Sequence, residues 1–190
     1  MERITYDQMK SNGIDHLTMN VHLQAYAFAH QFLLDKTVID AACGTCFGSM
    51  IYSTAAKSIV AVDKSEEAID HGKRLPFFCP IDYLVRNLDR ELLPEADLCI
   101  SVETIEHLNG DGFFLKNLNV KQLVFTIPIG EAGGYHKIEF NTTDRAVSHL
   151  MDNGWQKITA VLRKIQAPAI FPEGDGAVVH DMLMGIAERK

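Results

Sequence analysis

Twice within the first third of the chain, a short β-branched run closes on an aspartate and gives way to small or helix-capping residues. Thr37-Val38-Ile39-Asp40-Ala41-Ala42 leads into Cys43-Gly44-Thr45-Cys46-Phe47-Gly48, and Ser58-Ile59-Val60-Ala61-Val62-Asp63 leads into Lys64-Ser65-Glu66-Glu67. Continuous apolar runs of this length, bounded by turn residues, read as parallel strands buried on both faces. A helix is expected after each. One runs over Ser49 to Ala55; the other opens at Ser65, whose hydroxyl can cap it while Glu66 and Glu67 sit over its positive end. Strand and helix in alternation leave a parallel sheet as the simplest solution.

The alternation continues. Asp82 to Arg86, Asp97 to Val102 and Lys121 to Ile127 are predicted as further strands, the last stopped by Pro128. A helix is predicted from Thr143 to Asn153, capped by Thr142 or Thr143 and ended by Gly154. Residues 1–35 read as mostly helical, with Leu17, Val21, Leu23, Tyr26, Phe28, Phe32 and Leu33 at roughly helical spacing. Lys157 to Ile165 and His180 to Ala187 read as strands. The connection between them carries Pro168, Pro172, Gly174 and Gly176 and has no room for a crossover helix, so they should pair antiparallel. The expected architecture is a doubly wound α/β fold: a mostly parallel seven-stranded sheet with a C-terminal antiparallel hairpin. With 190 residues this is a single domain, in which residues 1–35 form an N-terminal helical lid and residues 36–190 a ligand-binding α/β unit.

Composition narrows the function classes. Lys and Arg number 18 against 25 Asp and Glu, a net charge of −7, which argues against a free-standing nucleic-acid binder. No apolar run approaches a membrane span, and no secretory signal opens the chain. The four cysteines, Cys43, Cys46, Cys79 and Cys99, are too few for a disulfide scaffold and fit a reducing, cytoplasmic setting.

In doubly wound sheets, ligands sit beyond the carboxyl ends of the central strands. There, Ala42, Gly44 and Gly48 allow a sharp turn and close approach of a ligand to the backbone. Asp63 stands 19 residues past Gly44 at the next strand end, where an acid can accept both hydroxyls of a ribose. A dinucleotide fingerprint is disfavoured, because the G-x-G-x-x-G spacing reads Ala42, Gly44, Phe47.

These segments resemble the class I S-adenosylmethionine-dependent methyltransferases. The likeness runs from about His22 to the C-terminus and rests on three stretches: Val38 to Ser49, Val60 to Ile69, and Ile100-Ser101-Val102-Glu103-Thr104-Ile105-Glu106-His107-Leu108. His136-Lys137-Ile138-Glu139-Phe140 resembles a segment of bacterial and phage members acting on sugars or small metabolites. The resemblance implies S-adenosyl-L-methionine as cofactor. Its methionine part would lie along Asp40, Ala42, Cys43 and Gly44, its ribose on Asp63, and its adenine beside Lys64 and the Asn87-Leu88-Asp89 stretch. Glu103 would face the methionine portion and the acceptor. One departure stands out: Cys46 occupies a position that is usually glycine, and its side chain is expected to narrow the pocket or shift the backbone.

His136 is the preferred base or acceptor-orienting residue, beside Tyr135, with His107 and Glu103 as further catalytic candidates. Glu106 belongs to the same stretch, although acids after a strand often only cap a helix. His22 and Tyr26, one helical turn apart, are either lid or packing residues, and Trp155 is expected in the core. Cys43-x-x-Cys46 matches a redox or zinc half-site, but no second pair has metal spacing, so no metal is expected. The resulting expectation is methylation of oxygen or nitrogen on a small-molecule acceptor, with no nucleic acid, no membrane, and a homo-oligomer left open. The alternative is a protein that binds the cofactor as a sensor or partner subunit, or degrades it.

Overall fold

The two aspartate-terminated runs lie side by side near the middle of a seven-stranded sheet. The computed structural model describes residues 16–109, 112–130, 136–166 and 179–189. After helix α1 (His16–His30) come β1 (Thr37–Ala41), α2 (Phe47–Tyr52), β2 (Ser58–Asp63), α3 (Glu66–Gly72), β3 (Ile81–Val85) and β4 (Ala96–Val102). A 3₁₀ turn (Ile105–His107), α4 (Phe113–Asn117), β5 (Val120–Ile129), α5 (Thr143–Asp152), β6 (Gln156–Gln166) and β7 (Val179–Glu188) complete the chain. The strand order is β3-β2-β1-β4-β5-β7-β6. β1 to β5 pair parallel, and β7 runs antiparallel to both neighbours. The order reverses between β1 and β4, so the crevice beyond their carboxyl ends is the switch point of the sheet.

Successive residues of the central strands face opposite layers, as the two-residue period requires. Ile39, Cys99, Leu123 and Phe125 join one core layer with Leu150 and Trp155. Val38, Leu98, Ile100 and Val124 join the other with Leu33, Tyr52 and Ile59. Trp155 is fully buried and its Nε1–H donates to the Leu115 carbonyl at 3.2 Å, so it anchors the core as expected. The face of α1 bearing Val21, Ala25 and Ala29, four residues apart, is buried, with Val21 and Ala25 against Met182 and Met184 of β7.

Three expectations need correction or limits. β5 runs through Pro128 to Ile129, with Pro128 opposite Met182 of β7. Pairing with β4 ends at Thr126, so Pro128 lies where that side of β5 has no β4 partner, and its missing N–H costs no ladder bond there. α2 begins at Phe47 rather than Ser49, because Cys46 takes a left-handed conformation and its carbonyl already accepts from Met50 N–H at 2.9 Å. Residues 1–15, Tyr135 and the Gly/Pro-rich connection of 167–178 lie outside the described residues.

Candidate functional site

The loop after β1 is built from alternating left-handed residues. Ala42, Gly44 and Cys46 have φ of 57°, 56° and 61°, a conformation costing roughly 1–2 kcal/mol for a residue with a Cβ. The turn is held by Cys43 N–H to the Val62 carbonyl and Cys46 N–H to the Cys43 carbonyl, both 2.9 Å. Among the described residues, a Cβ at Gly44 would meet nothing within 4 Å, so none of them covers the backbone here.

Asp63 ties this loop to the end of β2. Its Oδ2 accepts Gly44 N–H at 3.0 Å and its Oδ1 accepts Ser65 N–H at 2.8 Å. Asp40, one strand over, is buried and accepts the Ser49 hydroxyl at 2.5 Å. Burial pushes its carboxyl up to about 7; the Ser49 bond opposes this and the Asp63 charge adds to it. The contact to Ser49, nine residues downstream, carried no signal in the sequence.

Cys46 does not narrow the site. Its side chain is fully buried beneath α3, where a Cβ on Gly72 would stand only 2.4 Å from its sulfur. The backbone takes the left-handed conformation a glycine would have supplied, and Gly72 leaves the room the thiol occupies. Cys43 Sγ lies 3.6 Å from Cys46 Sγ, and both are free thiols. The hydrogen bond to Cys46, then burial, raise the Cys43 thiol above its ordinary range.

Beyond β2 and β3 the candidates divide. Lys64 is exposed and Leu88 is buried in the core. The Asn87 side chain accepts Asp89 N–H at 3.0 Å and closes its own turn. Asp89 reaches across the mouth instead, accepting Asn109 N–H at 2.7 Å and approaching Lys137 Nζ at 3.6 Å.

At the end of β4, Glu103 has φ of 48° and donates its N–H to the Thr126 hydroxyl at 3.1 Å. The Thr104 hydroxyl contacts the Ala41 carbonyl at 3.3 Å, joining the two strand ends across the switch point. Burial pushes the Glu103 carboxyl up to about 7. Glu106 is fully buried, and burial followed by the Glu103 charge hold its carboxyl well above the ordinary range. Its carbonyl accepts N–H groups from Lys137 (2.8 Å) and Ile138 (3.0 Å), while Gly130 N–H donates to the Phe140 carbonyl at 3.1 Å. These bonds fold the segment after β5 back onto the 3₁₀ turn. His136 is thereby set edge-on to His107, with ring centroids 4.9 Å apart. Partial burial lowers the pKa of His136.

Tyr26 of α1 packs beside the β1 loop. Its ring packs on Phe47 and Tyr52 at centroid distances of 5.9 Å, and its hydroxyl lies 3.4 Å from His22 Nδ1. Burial raises its pKa, followed by the charges of Asp40, Glu103 and Cys43, which places the hydroxyl among the loop's acids. A separate cleft of about 950 Å³ opens at the opposite strand ends, lined by Lys36, Asp97, Gln122 and Arg189 among others. It shares no residue with the strand-end cluster.

No protein-family model matches the sequence, and no curated protein matches it. Solved structures do match. An S-adenosylmethionine-dependent methyltransferase from Mesorhizobium loti aligns at a TM-score of 0.65 and 16% identity, over 91% of this chain and 100% of that one. One from Methanosarcina mazei aligns at 0.64 and 13%, over 85% and 96%. Magnesium protoporphyrin IX methyltransferase from Synechocystis, solved with bound S-adenosylmethionine, aligns at 0.61 and 17%, over 100% and 86%. The chain has the class I methyltransferase fold. Within the methyltransferase fold seen here, Asp40, Ala42, Cys43, Gly44, Asp63, Glu103, His107 and His136 all lie at the carboxyl ends of β1, β2, β4 and β5. No helix among the described residues is long and apolar enough to cross a membrane.

Proposed function

We propose that this chain binds S-adenosylmethionine at the β1 and β2 ends and transfers its methyl group to an oxygen or nitrogen of a small molecule. The observation that carries the reading is the Asp63 bridge to Gly44 N–H, beside a backbone stretch at the switch point that none of the described residues covers. The residues present suit such a cofactor. Asp40, Ala42, Cys43 and Gly44 would lie along its methionine part, Asp63 would meet the ribose hydroxyls, and Lys64 with the backbone of Asn87, Leu88 and Asp89, whose side chains are engaged elsewhere, would border the adenine. The Synechocystis enzyme of the same fold has also been solved with bound S-adenosylhomocysteine.

When bound, the cofactor supplies a methyl group on a positive sulfur, a good leaving group for in-line displacement. The chain's own work is to position the acceptor, exclude water and remove a proton where the acceptor carries one. Tyr26, whose ring packs on Phe47 and Tyr52 beside the β1 loop, would serve the lid expected of residues 1–35. His136 and His107, with ring centroids 4.9 Å apart, would receive the acceptor proton; burial lowers the pKa of His136 and favours its neutral form. Glu103 flanks them. The net charge of −7 favours a small acceptor over a nucleic acid.

Incubating the protein with S-adenosylmethionine, with and without a small-metabolite extract, tests this. S-adenosylhomocysteine formed only with extract is the expected outcome. Cofactor breakdown to methylthioadenosine without an acceptor would replace the transferase reading with lyase chemistry.

A further inference from the structure

Among the described residues, the carboxylate cluster at the end of β4 has no permanent counter-charge; only the His107 imidazole comes near it. Glu106 is fully buried and, among the described residues, neither of its oxygens has a hydrogen-bond partner; Oε1 of Glu103 is equally sealed and unpartnered there. Among the described residues, no lysine or arginine pairs with either acid. Two neighbouring buried carboxylates without compensation are costly, so such a site holds either protons or a cation.

The side chains around Glu106 are those that ligate metals. Glu106 Oε1 lies 3.6 Å from His107 Nε2, and one ligand atom from each of Glu106, His107 and His136 falls within 4.8 Å of the others. A cation held at about 2.0–2.2 Å from each ligand needs ligand atoms roughly 3–4 Å apart, within reach of small side-chain movements. The frame beneath them is fixed by backbone bonds. His107 N–H donates to the Thr104 carbonyl at 3.0 Å, and Lys137 and Ile138 both donate to the Glu106 carbonyl, locking the His136 segment onto the turn that carries the other two.

We propose that Glu106, His107 and His136 form a divalent-cation site at the acceptor side of the crevice, with Glu103 beside it and open positions for an acceptor hydroxyl. One carboxylate and two imidazoles suit Mn²⁺, Fe²⁺, Co²⁺ or Zn²⁺ better than Mg²⁺ or Ca²⁺, which prefer all-oxygen shells. The acceptor clause rests on the transferase reading; the cation site does not. With both imidazoles holding the cation, this site would replace the base role proposed for them: coordination would lower the pKa of a hydroxyl, so its O–H bond would break near neutral pH with the proton released to solvent. The oxygen then forms its bond to the methyl carbon as the carbon–sulfur bond breaks and its electron pair stays on sulfur. This departs from the sequence expectation of no metal, which rested on cysteine spacing alone.

The test uses the full chain stripped with EDTA. Mn²⁺ is titrated and followed by electron spin resonance of the free ion, and Co²⁺ by its visible absorption, in the wild type, Glu106→Gln, His107→Ala and His136→Ala. S-adenosylhomocysteine binding and a thermal melt are recorded on each. The expected result is one saturable cation per chain, weakened about tenfold or more by each substitution, with S-adenosylhomocysteine binding retained. Absence of saturable binding, or binding unchanged in both histidine variants, overturns the site. The Co²⁺ spectrum of the wild type decides the matter even where a variant fails to fold: no ligand-field bands means no site. Cation binding without S-adenosylhomocysteine binding would sink the cofactor reading and leave this one standing; the reverse would sink only this one.

Discussion

Cys46 and Gly72 work as a pair. The thiol fills the space that a Cβ on residue 72 would need, at 2.4 Å, and only a small residue there permits a side chain at 46. Gly72→Ala should destabilise the fold by about 1–3 kcal/mol in a denaturant melt. The Cys46 Cβ would itself stand 2.8 Å from the new methyl, so adding Cys46→Gly, which removes both atoms, should recover most of that loss, giving a coupling in a double-mutant cycle that two independent sites would not show. Asp40 offers a second test, in pH. Its carboxyl is held up to about 7 in the fold against an ordinary value near 3.8, so the folded chain keeps a proton that the unfolded chain releases. Its contribution is therefore fully present below the unfolded value and is lost as pH rises through about 7. Asp40→Asn should lose ground to the wild type at pH 5 and gain on it by a few kcal/mol at pH 8, as read by paired melts. Asp40 and Asp63 were legible in the sequence because each ends a strand. The Cys46–Gly72 contact was not, since two residues meeting through packing leave no local pattern.

Among the elements, the strands were the most legible. β2 matches its predicted limits, and β1 and β4 fall within one residue of theirs, because buried runs announce themselves by continuous apolar character. The five-residue α4 and the 3₁₀ turn were missed; neither is long enough to show a helical period. β5 was cut short at Pro128, where the pairing on its β4 side had already ended. β7 crosses between β5 and β6 with no spare room. A Cβ at Gly185 would stand 2.5 Å from Phe125 Cζ and 2.8 Å from the Ala160 Cβ. Gly185→Ala should cost about 1–3 kcal/mol by overpacking, while the exposed Val161→Thr on β6 should stay within about 0.5 kcal/mol. Equal losses in the two variants would contradict the packing described for this end of the sheet.

For the molecule as a whole, the site has two halves of different legibility. The proposed cofactor half comes from contiguous stretches, Asp40 to Gly44 and Asp63 to Lys64, so the Gly44–Asp63 spacing and the family resemblance pointed to it. The proposed acceptor half joins Glu106 and His107 to His136 across an intervening helix and strand. Its components were visible as candidates, but their proximity depends on the Lys137 and Ile138 bonds to the Glu106 carbonyl. The central claim is that the first half holds S-adenosylmethionine. Calorimetric titration of the wild type and Asp63→Ala with S-adenosylmethionine and S-adenosylhomocysteine tests it most directly, with a melt confirming that the variant is folded. The account predicts one micromolar site per chain in the wild type, weakened at least about tenfold by loss of the charged partner, at roughly 1.4 kcal/mol per tenfold. No binding of either ligand to the wild type, or equal affinity in folded Asp63→Ala, would contradict it.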